Sequence, residues 1–74
     1  MTKKNFKMKL QETLEGKGAT ISTNSNGATI IFNNETDYNN FVQFIAQNYY
    51  SFSEGLVVSG SWYNNQKKIV LDYK

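Results

Sequence analysis

The apolar positions near the start of the chain predict a short helix. Phe6, Leu10 and Leu14 recur every fourth residue, so they form one apolar stripe on a helical surface. Thr2 stands just before this stripe and belongs to the residue types that cap helix N-termini. The segment 2–14 is therefore predicted to be an amphipathic helix whose stripe faces a core.

A longer apolar stripe predicts a second helix in the middle of the chain. The segment 33–37 supplies capping residues and two acidic residues that suit the positive end of a helix dipole. After it, apolar residues recur three and four positions apart: Tyr38, Phe41, Val42, Ile45 and Tyr49. Phe44 and Tyr50 fall off the centre of this stripe, and Phe52 is expected in the loop that follows.

Alternating apolar and polar residues predict a first β-hairpin from the segments 19–24 and 28–33. An Asn-Gly pair is a strong hairpin signal, because both residues tolerate the positive φ of a type I′ turn. We expect Asn26-Gly27 to form a two-residue loop, which would pair Ile21 with Phe32 on the apolar face.

The last third of the chain predicts a second hairpin, formed by 56–63 and 66–74 around the loop Asn64-Asn65. One face of this hairpin is mostly apolar and is expected to join the core: Leu56, Val58, Gly60, Trp62, Ile69, Leu71 and Tyr73. The other face is mixed and is expected to be wet: Val57, Ser59, Ser61, Tyr63, Lys68, Val70 and Asp72.

The order of predicted elements is αββαββ within a single domain that spans residues 1–74. Each hairpin has one apolar face and each helix has one apolar stripe. Packing both helices on one face of a four-stranded, mainly antiparallel sheet buries all of these surfaces at once. The sequence therefore predicts an α+β two-layer sandwich, and it leaves the strand order open.

Composition excludes several kinds of chemistry. All eight basic residues are Lys, and the chain contains no Cys, His, Arg or Pro. Disulfides, Cys/His zinc sites, Cys–His and Ser–His–Asp nucleophiles and bidentate guanidinium binding of phosphate are therefore excluded. Glu35 and Asp37 are best interpreted as acids of a first helical turn. We expect neither an enzyme nor a protein with a metal ion or cofactor.

Positive charge is concentrated at the two ends of the chain, because no basic residue occurs between 18 and 66. This distribution supports a nucleic-acid-binding module that uses the first helix and the open sheet face, with Tyr63 as a stacking platform. The candidate phosphate contacts are Lys3, Lys4, Lys7, Lys9, Lys67 and Lys68. The net charge of only +2 and the absence of Arg weigh against this hypothesis.

Aromatic residues outside the predicted core point instead to a protein partner. Aromatic side chains combined with Ser, Gly and Asn form rigid yet adaptable binding surfaces. The candidate partner-binding residues are Phe44, Tyr50, Phe52, Val57 and Tyr63.

The preferred hypothesis is a small non-enzymatic inhibitor or accessory factor that covers a surface of another protein. Abundant Lys and Asn without Arg or Pro suggest an AT-rich coding sequence, typical of low-GC bacteria, their phages and mobile elements. Anti-CRISPR proteins have this general character. Homodimerisation through an edge strand or the open face is a second alternative.

The sequence also predicts where the protein is found. No apolar run reaches the roughly 18 residues that would span a bilayer. The residues after Lys4 form an amphipathic stretch without an apolar signal-peptide core. We therefore expect a mature cytoplasmic protein with no membrane partner.

Overall fold

The two apolar stripes become two helices, and the alternating segments become four strands. The computed structural model describes the backbone of residues 1–74 and all side chains except that of Val58. The elements in chain order are α1 (Lys3–Thr13), β1 (Ala19–Thr23), β2 (Gly27–Phe32), α2 (Glu35–Phe52), β3 (Val57–Tyr63), a 3₁₀ turn (Asn64–Gln66) and β4 (Lys68–Tyr73).

Side-chain caps begin both helices. The Thr2 hydroxyl oxygen accepts a hydrogen bond from the amide of Asn5 at 3.1 Å. The Asn34 side-chain oxygen accepts one from the amide of Asp37 at 2.8 Å. Each cap satisfies an N–H group that has no partner within the helix, so the predicted helix starts are confirmed.

The four strands form one antiparallel sheet in the order β1-β2-β4-β3. Both helices cover the same face, which confirms the predicted α+β two-layer sandwich. The buried apolar residues form one continuous core between the layers: Phe6, Leu10, Leu14, Ala28, Ile30, Phe32, Tyr38, Phe41, Ile45, Phe52, Val57, Ile69 and Leu71.

The first hairpin turns one residue earlier than predicted. Thr23 pairs with Ala28, so Ser25 and Asn26 are the loop residues, and neither has a positive φ. The Asn24 side-chain oxygen accepts from the amides of the second and third residues after it, at 2.7 and 3.0 Å. This local hydrogen bonding sets the turn and replaces the expected type I′ geometry.

Gly27 was expected as a loop residue of the first hairpin, but the structure requires glycine there for a different reason. A Cβ atom there would lie 1.9 Å from the carbonyl oxygen of Leu71, so only glycine lets the two strands approach.

The second hairpin has a longer loop than the predicted Asn64-Asn65 pair. The residues Asn64–Gln66 form a 3₁₀ turn, and Lys67 adopts a left-handed conformation with φ 50°. As a result Trp62 pairs with Ile69, whereas a two-residue loop would have placed it opposite Lys67. The register differs by two residues in both hairpins. A shift of two keeps every side chain on its predicted face.

A β-bulge reverses the predicted orientation of Val57. The pairing of β3 with β4 is irregular between Val57 and Ser59, and the extra residue changes which side chains point to the helices. Val57 is fully buried in the core, so its assignment to the wet face is wrong. Val58, which was expected in the core, has a side chain outside the described residues.

Helix α2 extends through Phe52, which was expected in a loop. Phe52 lies seven residues after Ile45 and continues the apolar stripe by two helical turns, so burying it stabilises the longer helix. The helix ends where Glu54 and Gly55 adopt positive φ values of 54° and 85°. In the described part of the chain, neither helix is long and apolar enough to cross a membrane.

The buried Tyr38 and the half-buried Tyr73 differ in how their hydroxyls are satisfied. The Tyr38 hydroxyl donates to the side-chain oxygen of Asn64 at 2.7 Å and so joins the start of α2 to the second hairpin. The Tyr73 hydroxyl is buried without a hydrogen-bond partner. Burial raises the pKa of both hydroxyls above 10.0, because the anion is poorly solvated there.

Replacing each tyrosine with phenylalanine distinguishes a hydroxyl that is hydrogen-bonded from one that is not. Tyr38→Phe should lower the free energy of unfolding by about 1 kcal/mol, because it removes a hydrogen bond and leaves Asn64 without that partner. Tyr73→Phe should leave stability unchanged or raise it by about 1 kcal/mol, because it removes only an unsatisfied group. Urea unfolding of both variants measures the difference. Equal losses of stability would contradict the described geometry.

Alkaline pH should unfold the protein through the same hydroxyls. Their raised pKa means that the folded state holds its protons at a pH where the unfolded state loses them. Stability is therefore complete below pH 10 and should fall as the pH rises above it. Unfolding at pH 8 to 11, followed by circular dichroism, tests this. Tyr73→Phe should show a smaller loss, and an identical pH profile would contradict the assignment.

Candidate partner-binding surface

A cleft of about 190 Å³ opens where the end of α1, the first half of α2 and the end of β2 meet. Most of its surface is apolar, and its polar groups are one hydroxyl, one amide and two opposite charges. The lining residues are Thr13, Leu14, Lys17, Phe32, Asp37, Asn40, Phe41 and Phe44. We call this feature the helix cleft.

One side of α2 forms a wall of the helix cleft. Asp37, Asn40, Phe41 and Phe44 are spaced three and four residues apart, so they follow one another along the helix surface. Phe41 belongs to the core and Phe44 stands at the surface. The wall therefore runs from the core to the solvent.

The glycines after α1 position the opposite rim of the cleft. Gly16 and Gly18 have φ values of 78° and 64°, which L-residues with side chains rarely adopt. They turn the chain back towards β1 and place Lys17 at the cleft, across from Asp37.

Phe44 is an exposed aromatic side chain on a rigid base. It is 40% exposed, yet its ring lies 5.7 Å from the ring of Phe41 and 5.5 Å from that of Phe52. Phe52 in turn packs edge-on against Phe6 of α1 at 5.9 Å. This series of aromatic contacts holds Phe44 in place at little entropic cost to binding.

Lys9 supports the base of this aromatic series. Its ammonium group donates to the carbonyl oxygen of Phe52 at 2.6 Å and lies 4.5 Å from the centre of that ring. A cation at the C-terminal end of α2 also interacts favourably with the helix dipole. Lys9 therefore stabilises the end of α2, and its ammonium group is less available to bind a phosphate.

The five predicted partner-binding residues do not form one surface. Phe52 and Val57 are buried in the core, so the expectation that they contact a partner is wrong. Tyr50 is 63% exposed, but it follows Phe44 by six residues, which places it about 120° away around the helix. Tyr63 is exposed on the sheet face that no helix covers.

The predicted phosphate-contacting lysines are also divided in space. The Lys3 ammonium donates to the carbonyl oxygen of Ser25 and lies over the ring of Tyr73, at the C-terminal end of β4. Lys67 and Lys68 stand at the other end of that strand, roughly 17 Å away at about 3.3 Å per residue. Lys3 and the pair Lys67 and Lys68 therefore do not form one patch.

Individual lysines differ in their freedom to bind an anion. Lys68 lies 4.9 Å above the ring of Tyr63, on the sheet face opposite the helices. Lys4 is exposed on α1, and Lys7 is half-buried beside it. Among the six candidates, the ammonium groups of Lys4, Lys7 and Lys67 are those without a described hydrogen bond or ring contact.

The helix cleft has the size and polarity of a site for one side chain. It is smaller than the roughly 300–1,000 Å³ of most small-molecule sites, but an apolar cavity of about 150 Å³ holds a benzene ring. Among the residues that the structure describes, no group of three or more acidic side chains is arranged to hold a metal ion. The cleft therefore offers apolar contact flanked by single polar groups.

Comparison with known proteins gives no information on the function of this chain. It matches no protein-family model, no curated protein and no solved structure at a significant level. Functional inference consequently depends on the surface itself.

Indole should bind the helix cleft weakly, with a dissociation constant on the order of 1 mM for a small ring in a shallow site. Two-dimensional NMR with ¹⁵N-labelled protein should show shifts at Leu14, Asn40, Phe41 and Phe44. Phe44→Ala should weaken binding severalfold, whereas Tyr50→Ala should not change it. Shifts spread evenly over the protein would contradict a defined cleft.

Proposed function

We propose that this protein is a small non-enzymatic inhibitor or accessory factor that binds another protein through the helix cleft and Phe44. The observation that carries the proposal is a rigid, 40% exposed phenylalanine beside an apolar cleft that the fold leaves open. Binding energy at protein interfaces is concentrated in aromatic side chains that become buried on binding and in the pockets next to them.

The chemistry of the cleft describes the partner. A large apolar side chain of the partner enters the helix cleft while Phe44 packs against the surface beside it. Lys17 and Asp37 at the rim contribute one charge of each sign. Such rim charges affect the specificity and rate of association more than its strength.

The inhibitor role rests on the shape of the surface and on composition. A small chain can block a larger protein by covering part of its surface, and rigid contact groups favour such binding because they lose little entropy. The Lys- and Asn-rich, Arg-free composition fits a phage or mobile-element gene that acts on host defence or nucleic-acid machinery. Anti-CRISPR proteins act in this way.

A nucleic-acid-binding role is the second candidate, favoured by two lysines on α1, of which Lys4 is exposed and Lys7 is half-buried. Lys4 and Lys7 are neighbours on the helix surface. The division of the other lysines between two ends of the sheet leaves a small patch. This role predicts weak binding that is strongly salt-dependent.

Affinity capture tests the proposed role in protein binding. Immobilised wild-type protein is incubated with lysates of low-GC bacteria, and retained proteins are identified by mass spectrometry and then purified for direct titration. Phe44→Glu should weaken binding of the purified partner at least about tenfold, because it places a charge in an apolar contact. Lys17→Glu, which leaves the core intact, should mainly slow association, because a charge at the rim affects the rate of binding more than its strength.

Matched variants control for folding and for charge. Gln43→Glu adds the same charge at a neighbouring exposed position of α2 and should leave binding unchanged. Thermal unfolding shows whether each variant remains folded. Equal binding by wild type and Phe44→Glu would contradict the proposal. Salt-sensitive binding of oligonucleotides that is lost in Lys4→Ala/Lys7→Ala would support the second candidate instead.

A further inference from the structure

The sheet face opposite the helices is uncovered and carries a self-complementary pattern. The side chains described there include hydroxyls, three larger apolar or aromatic groups and two charges. Its residues are Thr20, Ser22, Thr29, Ile31, Ser59, Ser61, Tyr63, Lys68, Val70 and Asp72. We call it the open face. Ile31 is 45% exposed and Tyr63 is 43% exposed there.

The two charges of the open face are placed symmetrically about Val70. Lys68 and Asp72 both belong to β4, two residues before and two residues after Val70. Both charged groups lie against neighbours on the open face. The Lys68 ammonium is 4.9 Å from the centre of the Tyr63 ring, and the Asp72 carboxylate accepts from the Ser59 hydroxyl at 3.2 Å.

We propose that the open face binds a second copy of this chain, with β4 of one copy antiparallel to β4 of the other. A two-fold axis lies between the two sheets, perpendicular to β4 and level with Val70. This rotation places Val70 against Val70, and Lys68 against Asp72 of the second copy in both directions. Such an interface is isologous, because each contact occurs twice.

The charges select this orientation over the alternative. A two-fold axis parallel to β4 would put Lys68 against Lys68 and Asp72 against Asp72, and facing like charges cost several kcal/mol. Aligned sheets cross at roughly 30°, which displaces residues two positions from the axis by only about 3 Å. A lysine side chain spans that displacement.

Side-chain sizes are complementary in the same orientation. Residues that pair across neighbouring strands form rows that run across the sheet. Lys68 is in one row with Ile31 and Tyr63. Asp72 is in another row with Gly27 and Ser59. The rotation superposes these two rows. Each large side chain then faces a residue with a small side chain or none, so the faces interlock.

The size of the open face predicts a weak dimer. Four strands about 4.8 Å apart and about five residues long cover roughly 300 Å² per copy. Stable complexes bury about 800 Å² per partner. We therefore expect a dissociation constant between about 10 µM and 1 mM.

Dimerisation goes beyond the proposed partner binding and is independent of it. The helix cleft lies in the helical layer, on the other side of the sheet from the open face. A dimer consequently presents two helix clefts on its outer surfaces. Loss of the dimer would leave the cleft intact, and Phe44→Glu should leave the dimer intact.

Sedimentation equilibrium of the full chain from 10 µM to 2 mM tests the proposal. The mean mass should rise from 8.5 kDa towards twice that value with concentration. Lys68→Asp and Asp72→Lys should each weaken dimerisation at least about tenfold, because each makes the open face single-signed.

Mixing and combining these variants tests the antiparallel contact itself. An equimolar mixture of Lys68→Asp and Asp72→Lys should dimerise about as well as the wild type, because each chain then faces the opposite sign. The double variant Lys68→Asp/Asp72→Lys should do the same. Lys4→Asp changes a charge outside the face and should have no effect, and thermal unfolding confirms that all variants are folded.

Several results would overturn the proposal. A mass of 8.5 kDa at every concentration excludes the dimer, and single variants that dimerise like the wild type exclude this interface. A mixture that associates much more strongly than the wild type indicates the parallel orientation. Concentration-dependent amide shifts confined to β1 or to the outer edge of β3, instead of Thr29, Ile31 and Val70, indicate pairing of edge strands.

Discussion

The fold depends on the contacts that Phe6 makes with both layers. Its ring packs in a T-shaped arrangement against the ring of Phe52 from α2, with 5.9 Å between the ring centres. It packs in the same way against the ring of Tyr73 from β4, with 6.2 Å between the ring centres. The side chain is fully buried, and a buried Phe contributes roughly 1.5–3 kcal/mol before packing geometry is counted. In a chain of 74 residues that energy is a large part of the net stability. Without Phe6, α1 would lose its aromatic contacts with the second helix and with the last strand.

The same packing determines which polar and aromatic groups remain available. The Lys9 ammonium completes the end of α2, and the Lys3 ammonium covers Tyr73 and the first hairpin turn. These lysines stabilise the fold, so the basic N-terminal segment is less free to bind an anion than its charge suggests. Phe44 shows the reverse effect, because contact with Phe41 and Phe52 holds it rigid while leaving much of its ring exposed.

Two surfaces of different chemistry result from a single sheet covered on one side. The helical layer contains an apolar cleft with mixed charge at its rim, which suits the side chain of a protein partner. On the bare side of the sheet, the described side chains include hydroxyls, three larger apolar or aromatic groups and one charge of each sign. Because the sheet separates them, the two surfaces can act independently, and a dimer through one would present the other twice.

The sequence by itself determined the elements and the face of nearly every strand residue. Helical spacing and capping residues located α1 and the start of α2, and alternation located the four strands. These patterns depend on period alone, which is why a two-residue error in both hairpin registers left the faces correct.

Only the tertiary structure decided the details that depend on contacts between distant residues. The bulge after Val57 buries that residue, and the contact of Phe52 with Phe6 extends α2 beyond its predicted end. The helix cleft likewise requires Lys17, Phe32 and Phe44 to meet from three separate segments. No local pattern encodes such a meeting, because it depends on how the two layers pack. The open face depends on both sources of information. Alternation in the sequence predicts which residues lie on it, and the strand order β1-β2-β4-β3 determines which of them are neighbours across the sheet.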